Sequence, residues 1–190
     1  MKILIVDNYD SFTYNLKHYF DLYCDSVTVL RNDDTLLWKA IEATDRIVLS
    51  PGPGLPKETT NLFEIIKRVE GKKPLLGVCL GHQAICEFFG ETIINLDDVL
   101  HGKSTPLFQQ NQDELFEGLP AKFNVARYHS WSVQAFDSDK SVFDITATDE
   151  MNRPLAVKHK LKNIRGIQFH PESILTENGK KIINNWITNC

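Results

Sequence analysis

Residues Pro74-Leu75-Leu76-Gly77-Val78-Cys79-Leu80-Gly81-His82-Gln83-Ala84-Ile85-Cys86 run from an apolar strand pattern straight into a helical one, with a thiol at the corner. Glycines at 77 and 81 flank the corner and remove the Cβ clashes that would forbid so sharp a turn. The first N–H groups of the following helix lack intrahelical acceptors and point back at the sulfur. Together with the positive end of the helix dipole they make Cys79 a better nucleophile than an ordinary surface cysteine. The alternative is a buried structural cysteine, since free Cys is among the most buried residue types.

Working outward, the same strand-then-helix alternation recurs. Lys2 to Val6, Val27 to Leu30, Arg46 to Leu49 and Leu75 to Val78 read as short aliphatic strands. They alternate with helical stretches near Ser11 to Tyr23, Thr35 to Ala43, Asn61 to Glu70 and His82 to Phe89. Continuous apolar strands between helices predict an α/β fold: an open, mostly parallel central sheet with helices on both faces. Between Glu91 and Gln168 the pattern is strand-rich, including Lys122 to Tyr128, Val142 to Thr148 and Leu155 to Lys158, which predicts a small antiparallel or mixed extension. Ile182, Ile183, Trp186 and Ile187 recur at helical spacing and predict a closing helix packed on the sheet.

In parallel sheets ligands gather beyond the carboxyl ends of the strands, and three segments fall there: Asp7 to Ser11, Ser50 to Gly54 and Cys79. Ser50-Pro51-Gly52-Pro53-Gly54 continues neither strand nor helix. Its glycines let backbone amides approach a substrate oxygen, as an oxyanion hole completed by Leu80 N–H requires. The polar run Asp7-Asn8-Tyr9-Asp10-Ser11 reads more simply as capping of the next helix by Asp10 or Ser11 than as a metal cluster.

Near the other end, Arg165-Gly166-Ile167-Gln168-Phe169-His170-Pro171-Glu172 reads as a strand that turns helical at Ser173. Positions i and i+2 of an extended chain project to the same side, so Glu172 can orient the His170 imidazole. A thiol, an imidazole and a carboxylate are the minimum set for nucleophilic attack on a carboxamide.

Composition narrows the classes. The 190 residues are 42% hydrophobic with no linker or low-complexity tract, predicting one domain over 1–190. A formal charge of −4 without a basic stripe argues against nucleic-acid binding. Cys24, Cys79, Cys86 and Cys190 lack C-x-x-C spacing, so neither a disulfide framework nor a zinc site is indicated. The four apolar residues before Asp7 are too few for a signal peptide, and no apolar run reaches membrane-spanning length, which predicts a cytoplasmic protein without a membrane partner.

Taken together, Asp7 to Leu16, Ser50 to Gly54, Gly77 to Gln83, His101-Gly102-Lys103, Tyr128-His129-Ser130 and Phe169 to Ser173 resemble the class I, triad-type glutamine amidotransferases, whose fold is flavodoxin-like. The opening motif and His-Gly-Lys point more narrowly to the glutaminase subunits of anthranilate and aminodeoxychorismate synthases. The resemblance implies Cys79 as nucleophile, His170 as general base and acid, and Glu172 as its orienter. It implies Gly52 and Leu80 as oxyanion hole, and Gly52, Pro53, Gly54, Gln83, Ser130 and Trp131 as the glutamine site. Trp131 stands where the family usually has leucine. The resemblance further implies a chorismate-binding synthase subunit as partner, contacted near Tyr9, Asp10, His101 and Lys103. No cofactor or metal is implied in this chain, magnesium being expected only in the synthase partner. Anthranilate synthase is the first reading and aminodeoxychorismate synthase the alternative. A stand-alone γ-glutamyl or cysteine hydrolase and a non-catalytic subunit are weaker readings, because Glu172 follows His170 by only two residues and all three triad residues are present.

Overall fold

The computed structural model describes every residue of the chain, the side chains of residues 98 and 99 excepted. The strands are β1 (Lys2–Asp7), β2 (Ser26–Arg31), β3 (Arg46–Leu49), β4 (Leu75–Val78), β5 (Ile93–Gln109), β6 (Lys122–Val133), β7 (Phe143–Thr148), β8 (Pro154–His159) and β9 (Ile164–Ile167). The helices are α1 (Thr13–Asp21), α2 (Leu37–Ala43), α3 (Leu62–Val69), α4 (Leu80–Phe88) and α5 (Gly179–Asn189).

All nine strands join one sheet, in the order β2-β1-β3-β4-β9-β8-β7-β5-β6. From β2 to β9 neighbouring strands are parallel; from β9 onward they are antiparallel. The expected extension is thus the continuation of the main sheet. Its backbone is the pair β5 and β6, of which β5 carries no clean apolar alternation and was not individually legible in the sequence. Hydrophobic side chains fill both faces. Ile3, Ile5, Val48, Leu76 and Val78 pack with Leu16 and Phe20 of α1 and with Ile182, Ile183 and Trp186 of α5. Leu4, Val6, Ile47, Leu49 and Leu75 point the other way, onto Leu37, Ile41, Leu62, Ile65, Ile66 and Ala84 of α2, α3 and α4.

Two expectations near the chain's functional segments are corrected. Gln168 to His170 does not continue β9 as regular strand: the ladder ends at Ile167, and the chain bends while Gln168 N–H donates to Leu155 O (2.9 Å) and His170 N–H to Ala126 O (3.0 Å). The helix does not begin at Ser173 either. Residues 171–178 are turns, and α5 starts at Gly179, where any Cβ would lie 1.9 Å from the Pro171 carbonyl oxygen. The polar side chains of Ser173 and Thr176 there bond back to local backbone, which competes with helix.

Close packing at the 77–81 corner has a measurable consequence. A Cβ at Gly81 would sit 2.4 Å from Leu49 O and 2.7 Å from Leu49 Cβ, so Gly81→Ala must push α4 off β3. Overpacking of this kind costs about 1–3 kcal/mol. Urea unfolding of Gly81→Ala is expected to show a loss of that order; unchanged stability would contradict the described contact between α4 and β3.

Candidate active site

Cys79 follows β4 in a conformation that L-residues rarely adopt, φ +53° and ψ −101°. Such strain persists only where the surroundings over-determine it. Here they do: a Cβ at Gly77 would lie 2.4 Å from the carbonyl of Gly81, and Cys79 N–H is fixed to Ile167 O at 2.8 Å. The helix begins at Leu80, two residues earlier than its apolar pattern indicates, so Cys79 occupies the N-cap position. Leu80 N–H, in the first helical turn, has no intrahelical acceptor and is free for a ligand oxygen.

The Gly52 loop is anchored from below. Asn8 N–H donates to Ser50 Oγ (2.9 Å) and Asn8 Nδ2 to Ser50 O (2.9 Å), and Asn32 Nδ2 donates to Asn8 Oδ1 (3.1 Å). A Cβ at Gly52 would meet Asn8 O at 2.6 Å and Leu80 Cδ2 at 2.8 Å, so only glycine lets this loop lie against the start of α4. The opening motif is explained by these contacts. Asn8 holds the loop, Asp7 accepts from Thr13 Oγ1 (2.8 Å) and Asp10 N–H (3.1 Å), and Asp10 accepts from Phe12 N–H (2.7 Å). Capping is shared by Asp7 and Asp10; Ser11 takes no part in it, and Phe12, the N-cap itself, makes no side-chain bond.

His170 and Glu172 are both buried, with Nδ1 of the imidazole 2.6 Å from Oε1 of the carboxylate. The expected pairing is therefore present, although the backbone carrying it is a turn. Phe12 and Tyr128 pack edge-on against the imidazole at 6.0 and 5.0 Å, and Thr176 Oγ1 donates to His170 O at 2.5 Å. Burial alone would lower the proton affinity of His170. The nearby Cys79 sulfur together with the hydrogen bond and charge of Glu172 outweigh it and hold the imidazole well above its ordinary range, while Nε2 has no hydrogen-bond partner. A cationic imidazole with Nε2–H unengaged beside the sulfur can protonate a leaving group there.

A cavity of about 190 Å³ is lined by Gly52, Pro53, Gly54, Cys79, Leu80, Gln83, His101, Tyr128, His129, Ser130 and Trp131. It is smaller than the roughly 300–1,000 Å³ of drug-sized ligand sites, which suits a substrate the size of one amino acid. Every residue assigned to glutamine binding or the oxyanion hole is on this wall. Trp131 contributes its carbonyl, which accepts from Gln83 Nε2 at 2.7 Å. Gln168 was not anticipated: it is fully buried, accepts from Gln83 Nε2 (3.1 Å) and directs its own Nε2 at Cys79 Sγ (3.5 Å). Its position two residues before His170 was the only available signal.

The four residues expected at a partner surface separate. His101 lines the cavity, facing Tyr128 across the β5–β6 ladder, and Lys103 is exposed on β5. Tyr9 is half-exposed beneath Arg31, donating to Asp33 Oδ2 at 2.7 Å, and Asp10 is half-buried, its carboxyl pushed up by burial against the Phe12 hydrogen bond. Among the described residues no three His, Cys, Asp or Glu side chains are grouped to hold a metal ion, and no helix is long and apolar enough to cross a membrane.

A doubly covered sheet with a cysteine elbow, a facing glycine loop and a His–Glu pair defines an amide-cleaving site of the amidotransferase kind. The glutamine amidotransferase class-I family model matches residues 4–190, and the chain belongs to that family. It is 43% identical to anthranilate synthase component 2 of Pseudomonas aeruginosa, over 97% of this chain and 94% of that protein. It is 42% identical to aminodeoxychorismate synthase component 2 of Escherichia coli, over 97% and 98%. A Thermoplasma acidophilum crystal structure assigned as a GMP synthase subunit superposes with a TM-score of 0.86 at 25% identity, covering 98% of this chain and 92% of that one.

Two further histidines are held neutral. Burial pushes His82 down to about 3, and burial with the neighbouring Arg127 charge pushes His129 to about 3. The unfolded chain protonates both near pH 6.5 and the folded chain does not, so their contribution to stability falls as pH drops from 6.5 toward 3. His170, raised, works in the opposite sense and loses its contribution as pH rises through its folded value. Between pH 6.5 and 5 the slope from each lowered histidine approaches about 1.4 kcal/mol per pH unit. Denaturant titrations across that window are expected to show falling stability that is shallower in His82→Gln; an identical slope in the variant would contradict a neutral His82.

Proposed function

We propose that this chain is a single glutaminase domain over 1–190, the component 2 subunit of an anthranilate synthase, which hydrolyses glutamine and passes ammonia to a chorismate-binding component 1. The observation that carries the chemistry is the elbow of Cys79, with His170, bonded to Glu172 and raised in proton affinity, beside it. In this reading the sulfur attacks the glutamine side-chain carbonyl carbon, a C–S bond forms, and the oxyanion is held by the N–H groups of Gly52 and Leu80. His170 Nε2–H protonates the nitrogen, the C–N bond breaks and ammonia leaves a γ-glutamyl thioester. His170 then takes a proton from water, which attacks the thioester and releases glutamate and the thiol. Proton transfer and oxyanion stabilisation meet the needs of amide cleavage, so this chain requires no cofactor of its own, and magnesium belongs with the partner.

Ammonia is useful only unprotonated and undiluted, so its consumer must sit against this site. Relatives named component 2 support a component 1 partner, and Ile174, 94% exposed just beyond Glu172, together with exposed Tyr9 and Tyr14, supports a docking surface beside the site. Aminodeoxychorismate synthase is the second reading, favoured by the nearly equal similarity to a relative of that name; a Bacillus subtilis relative, 39% identical, carries both names. Such a subunit works in the cytoplasm, on glutamine and without nucleic acid or membrane.

Purified with each candidate component 1, the chain is expected to hydrolyse glutamine, faster with the cognate partner and chorismate, and to lose at least about 10³-fold of that activity in Cys79→Ser. Hydrolysis that persists in Cys79→Ser would refute the reading, and stimulation by one partner alone would identify the synthase.

A further inference from the structure

Behind the cavity wall an unbroken line of hydrogen bonds runs to the sulfur. Arg153 Nε (2.7 Å) and Arg127 Nη1 (2.9 Å) donate to Asp149 Oδ2, and Arg127 Nε donates to His129 Nε2 (3.0 Å). His129 Nδ1 lies 2.8 Å from Trp131 O, the oxygen that also accepts from Gln83 Nε2. Gln83 in turn donates to Gln168, and Gln168 to Cys79. Arg127 and His129 are both buried.

Hydrogen bonds in such a line have a direction, and arginine sets it. A guanidinium donates and never accepts, so His129 Nε2 must accept and its single proton must reside on Nδ1. That proton is what the Trp131 carbonyl receives. The opposite tautomer would set Nε2–H against Arg127 N–H and a lone pair against the carbonyl oxygen, and a cationic ring would face the guanidinium charge. The carbonyl oxygen can only accept, so the Gln83 amide turns its NH₂ to it, and the His129 proton is the second donor that holds that oxygen in place. Both hydrogen bonds of the Gln83 side chain run from Nε2, which leaves Oε1, the other end of that amide, to a ligand on a side chain that lines the cavity. Arg127 also leaves its own Nη2 buried without a partner, a cost that favours a role beyond stability.

We propose that Arg127 is a positioning residue for the substrate: by locking His129 as the neutral Nδ1–H tautomer it fixes the Trp131 carbonyl, and through it presents Gln83 Oε1 to an N–H group of the bound amino acid. This rests on glutamine as substrate. Asp149 keeps the buried guanidinium paired, and Arg153 ties Asp149 to the surface.

The test has two arms. Nitrogen-resolved NMR of the His129 ring in the wild-type chain is expected to show a protonated Nδ1 and an unprotonated Nε2 across neutral pH; an Nε2–H tautomer or a cationic ring overturns the proposal, whether or not any variant folds. In steady state, Arg127→Met is expected to raise the KM for glutamine about tenfold with kcat within about threefold, and Arg127→Lys, which also only donates, to recover most of the KM. An unchanged KM in Arg127→Met overturns the proposal, as does a loss confined to kcat. Absence of glutamine hydrolysis by the wild-type chain would instead overturn the functional reading.

Discussion

The left-handed backbone at Cys79 is the constraint on which the rest of the molecule depends. A non-glycine residue at φ +53° is strained, and the strain holds only because β4 is clamped between β3 and β9 while α4 is pressed against both. The clearances at Gly77 and Gly81 are too small for any Cβ. What this geometry provides is a sulfur at the tip of a rigid element, held at the start of a helix. The strand order supplies the remainder: β9 lies beside β4, so the chain leaving β9 brings Gln168 and His170 to the neighbourhood of the elbow.

Electrostatic differentiation among three of the four buried histidines, His82, His129 and His170, follows from their partners. His82 faces carbon and the Cys86 sulfur, has no partner on Nε2, and is neutral. His129 is pinned between a cation and a carbonyl, and is neutral with a defined tautomer. His170 alone has a carboxylate on one nitrogen and the reactive sulfur toward the other, and of the three it alone gains proton affinity, because these neighbours outweigh the effect of burial. One small region thus keeps a single mobile proton, beside Cys79, where amide cleavage uses it.

Much of this was legible in the residues. The elbow could be read because glycine spacing reports a backbone clearance, and the parallel half of the sheet because its strands are uniformly apolar. The His170–Glu172 pair could be read from spacing, though for a reason the structure replaces: a turn brings the side chains together where an extended strand was expected. What could not be read was long-range and polar. Gln168 and the Arg127–Asp149 pair carry no local pattern, since Gln168 meets Gln83 and Cys79, and Arg127 meets Asp149, across long stretches of chain, and β5 lacks the apolar alternation that marks a half-buried strand. The start of α5 was misjudged because the apolar residues after Glu172 look helical, whereas Ser173 and Thr176 satisfy the backbone in turns instead.

Amide cleavage at this site requires the sulfur of Cys79 to become bonded to the substrate's carbonyl carbon within reach of His170. Rapid acid quenching of the chain with glutamine, followed by mass spectrometry of the peptide containing residues 74–86, measures this directly. A glutamyl group on Cys79, accumulating further in His170→Asn saturated with glutamine if water activation fails first, is the predicted result. Glutamine turnover with Cys79 unmodified under every quench condition, or a glutamyl group carried by another residue, would contradict it.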